Sequence, residues 1–241
     1  MKLLVLLFLF SFSVDAAEIS SPWTRVIISN AQHTMVGFVP TELRAADTLN
    51  IVIEGDGKPG IGLSLARSIG GNTVYIARPC QYSFGKRYTT CDKELWTSHR
   101  YSQAVIESMN HAISVMKIRY KAKNIRLIGF SGGGTVATIV AAIRDDVSLL
   151  VTAAGNLDHK RWTDFNEIEQ LNGSLNPIDY SVALENVHQI HLVGERDDIV
   201  PGSILTSYLS HMKKLDNVKS FIIQGADHYC CWSIALANIL D

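Results

Sequence analysis

Apolar residues recur along this chain with two different periods. Short blocks rich in β-branched residues have the length and composition of strands. They stand at Val26-Ile27-Ile28, Met35 to Val39, Leu49 to Glu54, Thr73 to Ala77, Asn124 into Gly129, Val147 to Val151, Gln189 to Val193 and Val218 to Ile223. Between them apolar residues take helical spacing. Ile61 to Ile69 predicts a short helix closed by Gly70-Gly71. A long helix is predicted from about Ser102 to Tyr120, with Val105, Met109, Ile113, Met116 and Tyr120 on one face. Thr135 to Ile143, Ile204 to Lys214 and a segment from about Trp232 complete the helical set. The first two strands, turning near Asn30 to His33, read as a hairpin, and the stretch from Gly155 to Glu185 reads as polar and irregular, anchored by Trp162 and Phe165.

Strands that alternate with helices predict an α/β fold. Its central sheet is expected to be mostly parallel, with helices on both faces and the hairpin as an antiparallel amino-terminal edge. Ligands of such sheets sit beyond the carboxyl ends of the strands. That rule singles out four places: Glu54 to Gly57, Ser131, Asp197 and His228.

Composition narrows the class. The 241 residues are 47% hydrophobic with a formal net charge of −1, which suits one domain with a large core and gives no electrostatic case for a nucleic-acid partner. No internal repeat breaks the chain. The first residues form a different unit. Lys2, the apolar run from Leu3 to Phe12 and the small residues up to Ala16-Ala17 have the three-part pattern of a secretory signal peptide over 1–17. The run is short for a bilayer span, so no stable membrane anchor is expected. Cleavage after Ala16 or Ala17 would leave a single domain, 18–241, secreted or periplasmic. No cysteine near that site suggests a lipoprotein anchor.

An exported chain with an even number of cysteines points to disulfides. Four cysteines allow three pairings. Cys80 and Cys91 bracket one polar loop and are the natural local pair, whereas Cys230 and Cys231 are adjacent and their pairing stays open. No spacing resembles a zinc site, and no metal is expected.

The chemistry is concentrated in Gly129-Phe130-Ser131-Gly132-Gly133. The pentapeptide by itself is a common string, compatible with a glycine-rich loop that packs a helix on a sheet. Its setting gives it meaning, because a strand, a sharp glycine turn and a buried helix in that order expose a serine hydroxyl. The N–H of Gly132, at the start of the helix, is then aimed at developing negative charge. A serine hydroxyl needs a base, and the base needs an orienting acid. His228, in the loop after the last strand, is the best base. His33, His111, His159, His188 and His211 fall in loops, helices or polar segments, His191 alternates within a strand, and His99 has no supporting motif. Asp197, in the loop after the strand ending at Val193, is the best acid, with Glu195 and Asp198 expected to face solvent. Asp227 is next to His228, and adjacent side chains diverge. The second oxyanion donor is expected from Gly55-Asp56-Gly57: the N–H of Asp56 first, that of Gly57 next.

With these pieces in place, the chain resembles the α/β-hydrolase superfamily. The resemblance rests on Gly129-Phe130-Ser131-Gly132-Gly133, on Gly194-x-x-Asp197-x-x-Val200-Pro201 and on Asp227-His228, in the order Ser…Asp…His. It implies a nucleophile at Ser131, an acid at Asp197 and a base at His228, acting without metal or organic cofactor on a small-molecule substrate. An ester is the expected target, with a thioester or amide behind it. An inactive binding protein on the same fold and an acyltransferase on the same triad are the alternatives. Two features depart from the family. The oxyanion strand ends in Glu54-Gly55-Asp56-Gly57 rather than a His-Gly start, and the segment between Val151 and Gln189 is too short for a large lid. That segment carries many charges, so a short-acyl, soluble substrate is expected. Arg78, Gln81, Trp96, Arg100 and parts of Leu157 to Tyr180 are candidate pocket walls.

Overall fold

The computed structural model describes residues 23–42, 45–57, 60–81 and 91–240. The expected leader and most of the loop between Cys80 and Cys91 lie outside the described residues. An eight-stranded sheet organises the rest. In chain order the strands are β1 (Trp23–Ser29), β2 (Thr34–Pro40), β3 (Thr48–Ile53), β4 (Thr73–Ile76), β5 (Asn124–Phe130), β6 (Val147–Ala153), β7 (Gln189–Gly194) and β8 (Val218–Ile223). Across the sheet they run β1-β2-β4-β3-β5-β6-β7-β8. The hairpin β1–β2 and the pair β2–β4 are antiparallel, and every pair from β4 to β8 is parallel.

The helices are α1 (Ile61–Ile69), α2 (Gln103–Arg119), α3 (Gly132–Ala142), α4 (His159–Phe165), α5 (Gly202–Ser210) and α6 (Trp232–Leu240). Successive side chains of a strand point to opposite faces, and the central strands use both. Ile51, Ile53, Ile125 and Leu127 pack on one side with Val105, Met109 and Ile113 of α2 and Val136 and Val140 of α3. Val52 and Ile128 pack on the other with Leu65 and Ala66 of α1 and Trp232 and Leu236 of α6. Burial on two faces explains why β3 and β5 read as nearly continuous apolar runs. Each such side chain contributes about 1.5–3 kcal/mol on leaving water.

Local chemistry sets the element ends. Ser102 caps α2 by accepting from the Val105 N–H. Gly70 and Gly71 both take positive φ where α1 stops. The segment expected to be irregular contains α4 and a 3₁₀ stretch, Pro177–Leu184. Asp158 caps α4 through the Arg161 N–H, and Trp162 is pinned by its indole N–H to the Ile199 carbonyl at 2.8 Å. A helix of two turns, held by a cap and by tertiary hydrogen bonds from Trp162 and from the His159 N–H to Asn176 Oδ1, is too short to leave an apolar period in the sequence. Helix α5 ends at Ser210 rather than at Lys214, because Lys213 donates its N–H to the Glu185 side chain instead of continuing the helical ladder.

Cys80 and Cys91 are joined, with Cα atoms 5.7 Å apart, as the local pairing predicts. Cys230 and Cys231 are joined to each other. No described helix is long and apolar enough to cross a membrane.

Candidate active site

Ser131 occupies the turn between β5 and α3 with φ 50° and ψ −121°. A non-glycine residue is held in this unusual region only where its surroundings dictate it, and the neighbouring glycines provide that constraint. A methyl at Gly129 would overlap the backbone of Gly133 and Gly134, and one at Gly133 would overlap the carbonyls of Ile53 and Glu54. The elbow is therefore wedged between its own strand and the end of β3. Two backbone hydrogen bonds lock it: Ser131 N–H to the Ala153 carbonyl at 2.9 Å and Asn156 N–H to the Ser131 carbonyl at 3.2 Å.

Three residues singled out in the sequence converge here. Ser131 Oγ lies 3.1 Å from His228 Nε2. His228 Nδ1 lies 2.9 Å from Asp197 Oδ2 and 3.1 Å from Oδ1. With the Nδ1 proton directed to the carboxylate, Nε2 is left as an acceptor for the serine hydroxyl. Ser131, Asp197 and His228 are all buried. Asp197 Oδ1 also accepts from the N–H groups of Ile199 at 3.0 Å and Val200 at 2.8 Å, which fixes the carboxylate in its own loop. The acid and histidine loops are tied together by Arg196 N–H donating to the Ala226 carbonyl at 2.9 Å. Gly194 lets them approach, since a side chain there would overlap that same carbonyl. Trp232, at the start of α6, donates its indole N–H to the His228 carbonyl at 3.0 Å.

The other acids and histidines stand elsewhere. Glu195, Asp198 and Asp227 are exposed, and Asp227 caps its own turn by accepting from Tyr229 and Cys230 N–H. His191 is buried in β7 against Thr152 and Gln189, and burial pushes its imidazole down to about 3. It therefore stays neutral within the sheet and does not reach Ser131.

The loop after β3 forms the second arm. Gly55 brings it against the elbow: a methyl there would meet the Phe130 ring and Ser131 Cβ at 2.9 and 3.1 Å. Among the described residues, the N–H groups of Asp56 and Gly132 donate to no protein acceptor. The Asp56 side chain lies over Gly132 Cα, where any Cβ would collide with the carboxylate. Arg78 Nη2 pairs with Asp56 Oδ1 at 2.5 Å, Arg100 Nη1 reaches Oδ2 at 3.2 Å, and the Tyr101 hydroxyl donates to Oδ2. Burial, reinforced by this carboxylate, pushes the Tyr101 phenol well above its ordinary value. One residue earlier, Glu54 is 1% exposed and has no cationic partner among the described residues. Its carboxylate accepts from the N–H groups of Gly55, Gly60 and Gly62 at 3.1, 3.0 and 2.9 Å and from the Tyr75 hydroxyl at 2.9 Å. Two of those donors belong to the amino end of α1, whose dipole favours a negative charge.

Sequence reasoning singled out the Asp56 N–H in this loop but did not anticipate Glu54 as its anchor. The available signal was a carboxylate closing a strand otherwise buried on both faces. Of the expected pocket walls, Arg100 and Trp162 line a pocket of about 160 Å³ beside Ser131, together with Ile61, Asn156, Ile199 and Tyr229. Arg78 and Gln81 stand behind it: Gln81 Nε2 donates to the Gly55 carbonyl at 2.5 Å, and Trp96 lies outside the pocket lining. Asn156 was not anticipated. Among the described residues no group of His, Cys, Asp and Glu side chains is placed to hold a metal ion.

No protein-family model matches the chain, and no curated protein matches it by sequence. Solved structures do match. A serine hydrolase homologue from Coxiella burnetii superposes with a TM-score of 0.62 at 16% identity, over 90% of this chain and 95% of that one. An esterase of Pyrococcus furiosus gives 0.66 at 14% identity over 90% of both chains. Proline iminopeptidase of Mycobacterium smegmatis gives 0.65 at 12% identity, over 90% and 97%. Superposition over nearly whole chains on both sides establishes the architecture: this chain has the α/β-hydrolase fold.

Proposed function

We propose that the protein is an exported serine hydrolase that cleaves an ester of a small, soluble substrate through an acyl-enzyme. The observation that carries this reading is the unbroken hydrogen-bond relay from Ser131 Oγ through His228 to Asp197, set beside an open pocket. Structural neighbours that are named as esterases and hydrolases support it. The leader-like first 17 residues support export.

In this mechanism Ser131 Oγ attacks the ester carbonyl carbon while its proton passes to His228 Nε2. Asp197 holds the Nδ1–H and stabilises the imidazolium. The carbonyl oxygen becomes an oxyanion and accepts from the N–H groups of Gly132 and Asp56, which are worth most when fixed in advance. Collapse of the intermediate breaks the bond to the leaving alcohol, which takes the proton from His228. Water then repeats the sequence on the acyl-serine, giving the acid and free Ser131.

Labelling with a fluorophosphonate, followed by turnover of short-chain esters, tests the reading. Ser131→Ala is expected to abolish labelling and to reduce kcat by on the order of 10⁶-fold. Asp197→Asn is expected to cost about 10⁴-fold by favouring the wrong His228 tautomer, with Asp198→Asn costing far less. Labelling that survives in Ser131→Ala would exclude Ser131 as the nucleophile. An unlabelled, inactive parent would favour a binding protein on this fold. A preference for added alcohols over water would identify an acyltransferase.

A further inference from the structure

Both backbone donors proposed for the oxyanion have the same carboxylate as a neighbour. Asp56 carries one of the N–H groups itself. Its side chain rests on Gly132, which carries the other, so that a Cβ built on Gly132 would collide with both carboxylate oxygens. A fixed negative charge at this place opposes the charge that develops on the carbonyl oxygen, and water screens buried charges little. The arm therefore needs a cation beside Asp56, and the structure holds one that is buried.

Arg78 stands two residues past β4 and is 3% exposed. Its Nη2 pairs with Asp56 Oδ1 at 2.5 Å, and its Nη1 donates to the Arg100 carbonyl at 2.8 Å. The Arg78 backbone N–H donates to Gln81 Oε1 at 3.1 Å, while Nε2 of the same side chain donates to the Gly55 carbonyl. One amide thus grips both Arg78 and the oxyanion arm, and the guanidinium is set in place independently of substrate.

The charges balance once Glu54 is included. Among the described residues, the arm and its partners carry two carboxylates, Glu54 and Asp56, and two guanidinium groups, Arg78 and Arg100. Glu54 uses neither cation, since its donors are the N–H groups of Gly55, Gly60 and Gly62 and the Tyr75 hydroxyl. Both guanidinium groups therefore fall to Asp56, with the Tyr101 hydroxyl as its third side-chain partner. Arg100 lines the pocket, where water screens it, whereas Arg78 is enclosed and screened least. In the triad, Asp197 is matched by the His228 imidazolium as the oxyanion forms.

Taking the serine hydrolase reading as its basis, we infer that Arg78 is a positioning residue for the reaction: it acts through Asp56, cancelling the carboxylate charge so that the N–H groups of Asp56 and Gly132 face the oxyanion unopposed. An ion pair that served stability alone would make the same contacts, but it would not discriminate between substrate and transition state.

Turnover of a neutral short-chain ester separates the two. Arg78→Gln removes the buried cation and leaves two carboxylates beside one guanidinium. Its kcat is expected to fall about 10²-fold with KM within about twofold, because the lost interaction is made only in the transition state. A trifluoromethyl ketone forms a bond from Ser131 Oγ to its carbonyl carbon; the carbonyl oxygen becomes an oxyanion and the serine proton passes to His228. Its affinity should fall by a similar factor, while the matching methyl ketone, which stays a ketone, should bind as before. Adding Asp56→Asn to Arg78→Gln removes the charge that Arg78 cancels and should restore at least about tenfold of the lost kcat. Arg78→Lys keeps the charge and should hold kcat within about tenfold of the parent. An undiminished kcat in Arg78→Gln, a loss that Asp56→Asn does not relieve, or a loss of affinity shared equally by the two ketones overturns the inference. Should Arg78→Gln alone fail to fold, as read by circular dichroism, Arg78→Lys and the double variant decide, and a kcat in both lower than the parent by about 10²-fold or more overturns it. Parent protein that neither labels with a fluorophosphonate nor turns over esters refutes the hydrolase reading itself. Labelling and turnover in the parent, with Arg78→Gln unimpaired, refute only the inference.

Discussion

Two loops meet at Ser131, and they are held in opposite ways. The elbow, residues 129–134, is fixed by steric exclusion. Its glycines let backbone touch backbone, at Gly129 against Gly133 and at Gly133 against the end of β3. The arm after β3, residues 54–62, is fixed by buried charge. Glu54 gathers three N–H groups and a tyrosine hydroxyl, and Asp56 gathers two arginines and another tyrosine. A steric device tolerates no added atom but is indifferent to charge. An electrostatic device tolerates changes of shape and fails when a donor or acceptor is lost. In the proposed mechanism the elbow presents a hydroxyl at one position, whereas the arm presents an N–H and a wall of the pocket.

The largest expected effect comes from adding one methyl to the steric side. Gly133→Ala places a Cβ against the carbonyls of Ile53 and Glu54, and neither backbone group can swing aside without unzipping the end of β3. Overpacking usually costs about 1–3 kcal/mol and sometimes more. A loss of about 3 kcal/mol or more is expected here, read as the urea midpoint at constant m-value. A variant within about 1 kcal/mol of the parent would show that the elbow is not a rigid wedge.

A smaller effect is expected from the electrostatic side. Glu54→Gln keeps the shape but replaces one acceptor oxygen with an amide NH₂ facing N–H groups that have no other acceptor among the described residues. A buried donor left unpaired costs about 1–3 kcal/mol. Turnover should fall with stability, because the Asp56 N–H is carried by the same loop. An unchanged melting curve together with unchanged kcat would show that the chain connection to β3 alone positions the arm.

The same contrast explains what could be read without the structure. A steric device is written in residue identity: Gly129, Gly133 and the apolar run beyond them announce the turn, and Asp197 and His228 follow because each stands in the loop after a strand. The order and type of the elements were legible for the same reason, since burial on two faces leaves continuous apolar blocks. The electrostatic device depends on partners far apart in the chain. Asp56 meets Arg78, Arg100 and Tyr101 only once β4 and the start of α2 are brought together, and no local spacing announces that. Asn156 is less visible still, because its place in the pocket wall exists only after everything around it is packed. Helix α4 escaped because its stability comes from a cap at Asp158 and an anchor at Trp162 rather than from periodicity.

The two loops touch at one point, and the smallest predicted effect is the most discriminating. A Cβ built on Gly132 would collide with the Asp56 carboxylate and with no other described group so closely. Unlike the carbonyls that face Gly133, this obstacle is the end of a side chain and can move. Gly132→Ala should push Asp56 off Arg78 and leave the buried guanidinium without its partner. Asp56→Ala should also leave Arg78 unpaired, but it clears the space that the added methyl needs. The double variant should therefore cost less than the sum of the two single changes. The coupling should fall in the ~0.5–3 kcal/mol range found for residues in contact, toward the lower end because the carboxylate can move. Four urea titrations measure it. Strict additivity would mean that Asp56 does not rest on the elbow, and that the steric and electrostatic halves of the site are set independently.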